Sequence, residues 1–174
     1  MTDKLSLHIP DYQELWYRQK ILCDSATMSY NAGYDLGFDG YDNETGCIDF
    51  PEEDWADWYN YFIGNEDRFY AYISAGGEFI GEVNLHKIQD SNEYNMGIVI
   101  EAKHRGNGYA ERALKLLLKK AFEDMGAEAV LNDFEDTRVS AVKTHLSVGF
   151  KETVKKNGVT IYRITRRDYF SGRT

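Results

Sequence analysis

The chain has 174 residues, 43% of them hydrophobic and 14% aromatic, which is the size and make-up of one folded domain with its own core. A net charge of −9 argues against a nucleic-acid binder, which needs a basic footprint. Two cysteines, Cys23 and Cys47, are too few for a disulfide framework or a zinc site and fit a reducing compartment.

In chain order, the opening "MTDKLSLHIPDYQEL" has no apolar core of leader-peptide length, and no later run approaches the roughly 20 apolar residues of a membrane span. A cytoplasmic protein with no membrane partner is the expectation. Pro10 suits a first helical position and predicts a helix to about Leu22. Met28 to Asp49, dense in Gly, Asn, Asp and Tyr, reads as loop. From Pro51 a second helix puts Trp55, Trp58, Tyr59 and Phe62 on one face. "FYAYISAGGEFIGEVNLH" (69–86) reads as a hairpin about Gly76-Gly77, followed by a strand from Tyr94 to Ile100. Residues 108–125 carry Ala110, Ala113, Leu114, Leu117, Leu118, Ala121 and Phe122 on one helical stripe, with Gly126 as C-cap. A strand (129–134), a helix (Thr137 to Val148) and a hairpin about Asn157-Gly158 complete the order. Strand 94–100, helix 108–125 and strand 129–134 form a βαβ unit, so the sheet must mix parallel and antiparallel pairs. With no repeat or linker, one domain is expected over 1–174: a helical and loop segment (1–67) followed by a core (68–165).

Charge is unevenly placed. Residues 21–67 hold twelve Asp or Glu and no Lys or Arg, whereas 103–120 hold six Lys or Arg and one Glu. Such runs are either solvated faces or two electrostatic territories, one suited to a cation and one to a polyanion.

"EAKHRGNGYAERA" (101–113) stands where the strand pattern gives way to the helical one. Glycines there let backbone N–H groups approach an anion, and the helix adds its positive end. A Walker A loop requires Gly-Lys-Ser/Thr, and here the loop ends Gly108-Tyr109-Ala110. A dinucleotide fingerprint requires a third Gly or Ala where Glu111 stands. Arg/Gln-x-x-Gly-x-Gly/Ala is satisfied by Arg105, Gly108 and Ala110.

With that loop, its amphipathic helix, the strand that follows and "SVGF" (147–150), the chain resembles the GNAT superfamily of N-acetyltransferases over about residues 69–165. The aromatic "FYAYI…FIGEVNLH" block looks closest to the branch that contains ribosomal-protein N-terminal acetyltransferases. The resemblance implies an α/β (α+β) fold, a mixed, mostly antiparallel sheet with helices on both faces. It implies acetyl-CoA as co-substrate, no metal, and direct transfer without a covalent nucleophile. The pyrophosphate would lie on Arg105, Gly106, Asn107, Gly108, Tyr109 and Ala110, and the pantetheine arm along the backbone of Ile98, Val99 and Ile100. Relatives place a Tyr general acid where this chain has His145, and often an Asn where it has Arg138. His145 is therefore either the acid or a packed side chain, and Arg138 is expected to reach a CoA phosphate instead.

For the base, Glu82 shares a strand face with Asn84 and His86 by period-2 alternation, with Tyr94 beside them; a structural carboxylate is the alternative. Relatives build the acceptor pocket before the core. Here that segment offers Tyr30, Asn31, Tyr34 and Asp35, which are aromatic walls and a carboxylate suited to a cationic amine, or else an acidic surface loop. The expected function is N-acetyl transfer to an amine, from a small cation to a protein N-terminus or lysine, by a monomer or homodimer. The alternative is a CoA-binding sensor or interaction module without catalysis.

Overall fold

The computed structural model describes residues 4–172, so the terminal residues of the expected 1–174 domain lie outside it. Seven strands form one sheet in the order β1-β2-β3-β4-β5-β7-β6. They are β1 (Leu5–His8), β2 (Arg68–Ala75), β3 (Glu78–Lys87), β4 (Glu93–Ile100), β5 (Ala129–Glu135), β6 (Lys151–Lys156) and β7 (Val159–Thr165). Only β4 and β5 pair in parallel; the other neighbours are antiparallel. The hairpins β2–β3 and β6–β7 turn at Gly76-Gly77 and Asn157-Gly158, all four with the positive φ that matches strand twist.

Pleat parity sorts the side chains of the sheet. Val83, Leu85, Tyr94, Met96 and Ile100 face helix α4 (Tyr109–Lys119), whose Leu114, Leu117 and Leu118 are buried with them in the main core. Helix α5 (Val139–Ser147) joins that core through Ala141 and Val142. On the other face, Tyr70 and Tyr72 pack on Tyr17 and Ile21 of α1 (Trp16–Leu22) and on Trp58 and Phe62 of α3 (Trp55–Phe62). Helices thus cover both faces, the layered solution for a sheet apolar on each side.

The structure differs from the sequence reading at five places. The predicted first helix starts later, because Asp11 and Glu14 form a capping box around a 3-10 turn at Tyr12–Glu14 before α1 begins. Leu5–His8, given no element in the sequence reading, is an edge strand on β2, too short to show its period. Ser25–Met28 forms a one-turn helix, α2, capped by Asp24. After β7, Thr165 and Asp168 form a second capping box that starts α6 (Arg166–Ser171). Helix α4 ends in a π-type turn, Lys120–Asp124, before Gly126.

Candidate acetyl-CoA cleft

β4 and β5 are paired only over Glu93–Asn95 and Ala129–Leu131. Beyond Asn95 and Leu131, each strand keeps its outer neighbour and loses the inner one, so their C-terminal ends part. This opens a cleft of about 520 Å³ between Ile98, Val99 and Ile100 on one side and Thr137, Arg138, Val139, Ser140, Ala141, Thr144 and His145 on the other. Tyr30, Arg105, Ala110 and Leu114 complete its lining. A second hollow, lined by Arg105, Gly106, Gly108, Tyr109, Ala110 and Glu111, shares Ile100, Ser140 and Thr144 with the first and leads to the start of α4.

The loop at that end is shaped for an anion. Gly106 (φ 81°) and Gly108 (φ 72°) are left-handed, and a Cβ built on either meets nothing within 4 Å. No side chain caps α4, and its first helical bond, Arg112 N–H to the Gly108 carbonyl, spans 3.4 Å. The amides of Tyr109, Ala110 and Glu111 therefore face open space at the positive helix end. Asn107 turns inward, donating to the carbonyls of His104 (3.0 Å) and Arg105 (3.3 Å).

Arg105 lines both hollows, but its guanidinium is turned to backbone carbonyls. Its guanidinium donates to the carbonyls of Thr27 (2.6 Å), Ala26 (3.3 Å) and Ile100 (3.1 Å), which ties α2 to the end of β4. Lys103 reaches Glu78 (2.8 Å), and Lys115 and Lys120 pair with Glu111 and Asp124 one turn away. Much of the basic run is thus spent locally. Arg138 stays available: its guanidinium lies over the rings of Tyr30 (4.9 Å) and Phe134 (5.5 Å) and makes no hydrogen bond or ion pair among the described residues.

Glu82 and His145 are both buried, 4% and 2% exposed. Glu82 pairs with Val99 across β3 and β4, but its carboxylate is closed off under α1. Arg18 Nη1 donates to both its oxygens (2.7 and 2.8 Å), and the Tyr70 hydroxyl donates to one of them. The guanidinium is itself stacked on Trp58, at 4.6 Å from the ring centroid. Glu82 does not line the cleft; its cross-strand neighbour Val99 does. His145 lines the cleft but has both ring nitrogens engaged: Nδ1 donates to the Ala141 carbonyl (2.8 Å) and Nε2 accepts from the Asn132 amide (3.0 Å). Phe134, Phe150 and Tyr162 surround the ring. Burial pushes its pKa below the ordinary 6.5, the Ala141 carbonyl opposes this, and nearby Arg138 adds to it. The fold holds a neutral imidazole.

That neutrality has a stability consequence. A histidine whose folded-state pKa is depressed contributes stability that is complete above its unfolded pKa and lost as pH falls below it. The stability advantage of the native chain over His145→Gln is therefore expected to shrink below pH 6.5, measured by urea unfolding at intervals from pH 7.5 to 5.

Of the expected acceptor residues, Tyr30 lines the cleft. Tyr34 is exposed and outside the cleft lining, its hydroxyl donating to Glu135 at the end of β5. Asn31 is internal to its loop, donating to the Gly46 carbonyl (3.1 Å) and accepting from Tyr41 (2.6 Å). Asp35 is exposed and outside the cleft lining. Tyr94 is corrected: it is 3% exposed in the main core, on the α4 side of β4. Its register partner is Lys87, and the face of Glu82 and His86 belongs to Val99 and Asn95, one pleat away. Of the α5 wall the sequence reading named Arg138 and His145 but not Ser140, Ala141 and Thr144, which lie together at helical spacing between them.

An acetyltransferase (GNAT) domain model matches residues 6–151. The chain belongs to the GNAT acetyltransferases. Among solved structures, the fold is similar to spermidine N-acetyltransferase from Vibrio cholerae in complex with CoA and spermine. The TM-score is 0.76 and the identity 18%, over 95% of this chain and 98% of that one. A GNAT-family acetyltransferase from Bacillus anthracis aligns with TM-score 0.70 and 17% identity, over 96% and 98%. A dodecameric form of the Vibrio cholerae enzyme aligns with TM-score 0.75 and 16% identity, over 98% of each chain. No curated protein sequence matches. At these identities the neighbours establish the fold, and none of the findings reaches the ribosomal-protein branch.

Proposed function

We propose that the chain is an acetyl-CoA-dependent N-acetyltransferase that moves the acetyl group directly to an amine carrying positive charge in solution. The observation that carries this reading is the parted β4–β5 end, which opens beside an uncapped helix start with two left-handed glycines. The backbone of Ile98–Ile100, with no partner strand on the β5 side, offers N–H and C=O groups to an extended amide-bearing arm. The amides from Gly106 to Ala110 would hold a pyrophosphate, with Arg138 contributing charge from the opposite wall. Acetyl-CoA, when bound, supplies the activated thioester. That a neighbour of the same fold carries CoA and spermine supports both halves of the reading.

The acceptor would enter from the 28–49 side, where Tyr30 and Tyr34 stand beside a strongly acidic segment. Glu82, its oxygens taken by Arg18 and Tyr70, orders this face of the sheet instead of accepting the amine proton, which leaves through water. A second reading, CoA binding without transfer, is favoured by one observation: the two side chains expected from the sequence to do acid–base work, Glu82 and His145, are both internally paired. Free-thiol release from acetyl-CoA separates the two. The acceptors to try are polyamines, aminoglycosides, amino acids and N-terminal peptides, with CoA binding by calorimetry alongside. Turnover with one amine class is the expected result. Binding without turnover on any acceptor favours the sensor, and no CoA binding overturns both readings.

A further inference from the structure

If His145 has no proton to give, the departing thiolate needs another donor, and the cleft lining contains a single phenol, Tyr30. It stands in the 3-10 turn Ser29–Asn31 that follows α2. Its side chain packs on the cluster of Leu15, Leu22, Met28, Phe50 and Trp55, and the Arg138 guanidinium lies over its ring at 4.9 Å from the centroid. Among the described residues the Tyr30 hydroxyl makes no hydrogen bond, whereas the other nearby tyrosines are committed: Tyr34 to Glu135, Tyr41 to the Asn31 carbonyl, Tyr70 to Glu82. Thr144, also in the lining, donates to the Ser140 carbonyl (2.9 Å).

We propose that Tyr30, from the segment before the core, is the proton donor to the leaving thiolate, replacing the tyrosine that relatives carry at the place of His145. This rests on the acetyltransferase reading above. In the step, the amine nitrogen bonds to the thioester carbonyl carbon. The C–S bond then breaks with its electron pair on sulfur, the Tyr30 O–H proton passes to sulfur, and the proton lost by nitrogen returns through water to the phenolate. The charged groups near enough to act on the hydroxyl through space are Glu82 of β3, Arg138 at the start of α5, Arg18 of α1 and Arg105 of the glycine loop. Burial and Glu82 raise the phenol's pKa, and the three arginines oppose them, so the donor stays protonated through neutral pH.

The test is kcat, KM and their pH dependence for the native chain and Tyr30→Phe, using an amine the native chain acetylates. Tyr30→Phe keeps the ring and its packing, which circular dichroism checks. The expected result is a loss of about 10²-fold in kcat, within the usual range for a general acid, with CoA affinity by calorimetry unchanged within about twofold. The native kcat should not fall between pH 7 and 9, because the donor is not an imidazole. An undiminished kcat, a defect confined to the KM of the amine, or a native kcat that falls as pH rises past 6.5 each overturns the role of Tyr30. A native chain that binds CoA and acetylates no amine overturns the acetyltransferase reading and this role together.

Discussion

Replacing Arg18 by Met is expected to cost about 3–5 kcal/mol, the usual penalty for removing one partner of a buried ion pair. The Arg18 and Glu82 side chains are 17% and 5% exposed, so the stranded carboxylate would face Tyr70 and the underside of α1 with its main donor gone. For a chain of this length the loss corresponds to a fall in melting temperature on the order of 10 °C. A double variant, Arg18→Met with Glu82→Leu, should recover much of it, since two apolar groups of similar volume need no mutual solvation. Thermal unfolding of the three proteins decides the point. If the single and double variants are equally destabilised, the cost lies in lost packing on Trp58 and Phe50 and not in the uncompensated charge.

The second large effect concerns the glycine loop and separates strain from function. Gly108→Ala is expected to weaken CoA binding at least about tenfold, or about 1.4 kcal/mol. Its methyl would occupy the open space in front of the α4 amides. The left-handed backbone adds a folding cost of about 1–2 kcal/mol. Gly64 is the control, with φ 79° and equally open surroundings, but at the end of α3 away from the cleft. Gly64→Ala should show the same stability loss with CoA affinity unchanged, measured by calorimetry. Equal CoA affinity in Gly108→Ala and the native chain would mean that the anion does not sit on this loop.

Much of the architecture was legible because it is local. The stripe of α4 repeats with the helical period, the two hairpins announce themselves by Gly76-Gly77 and Asn157-Gly158, and the loop of Arg105, Gly108 and Ala110 lies at a strand-to-helix junction. Each depends on side chains within a few residues of one another, where backbone preference and amphipathicity act directly. The short pieces at the ends, β1 and α6, carry too few periods to be seen, although Thr165 and Asp168 spell out a capping box.

What chemistry each site residue can perform was decided at longer range. Glu82, Arg18 and Tyr70 are separated by 64 and 12 residues along the chain, and only the packing of α1 on β2 and β3 closes the carboxylate. His145 is held neutral chiefly by burial in an aromatic box, where Asn132 of β5, 13 residues away, donates to it. Arg105, chosen for its charge, is turned to carbonyls 78 residues away. Tyr94 lost its place in the cleft to a single pleat of register. Sequence therefore determined the elements, the phosphate-type loop and the family. The parting of β4 from β5, the company each titratable group keeps, and the arrival of Tyr30 under Arg138 belong to the tertiary structure, because hydrogen-bond partners and desolvation depend on neighbours in space and not along the chain.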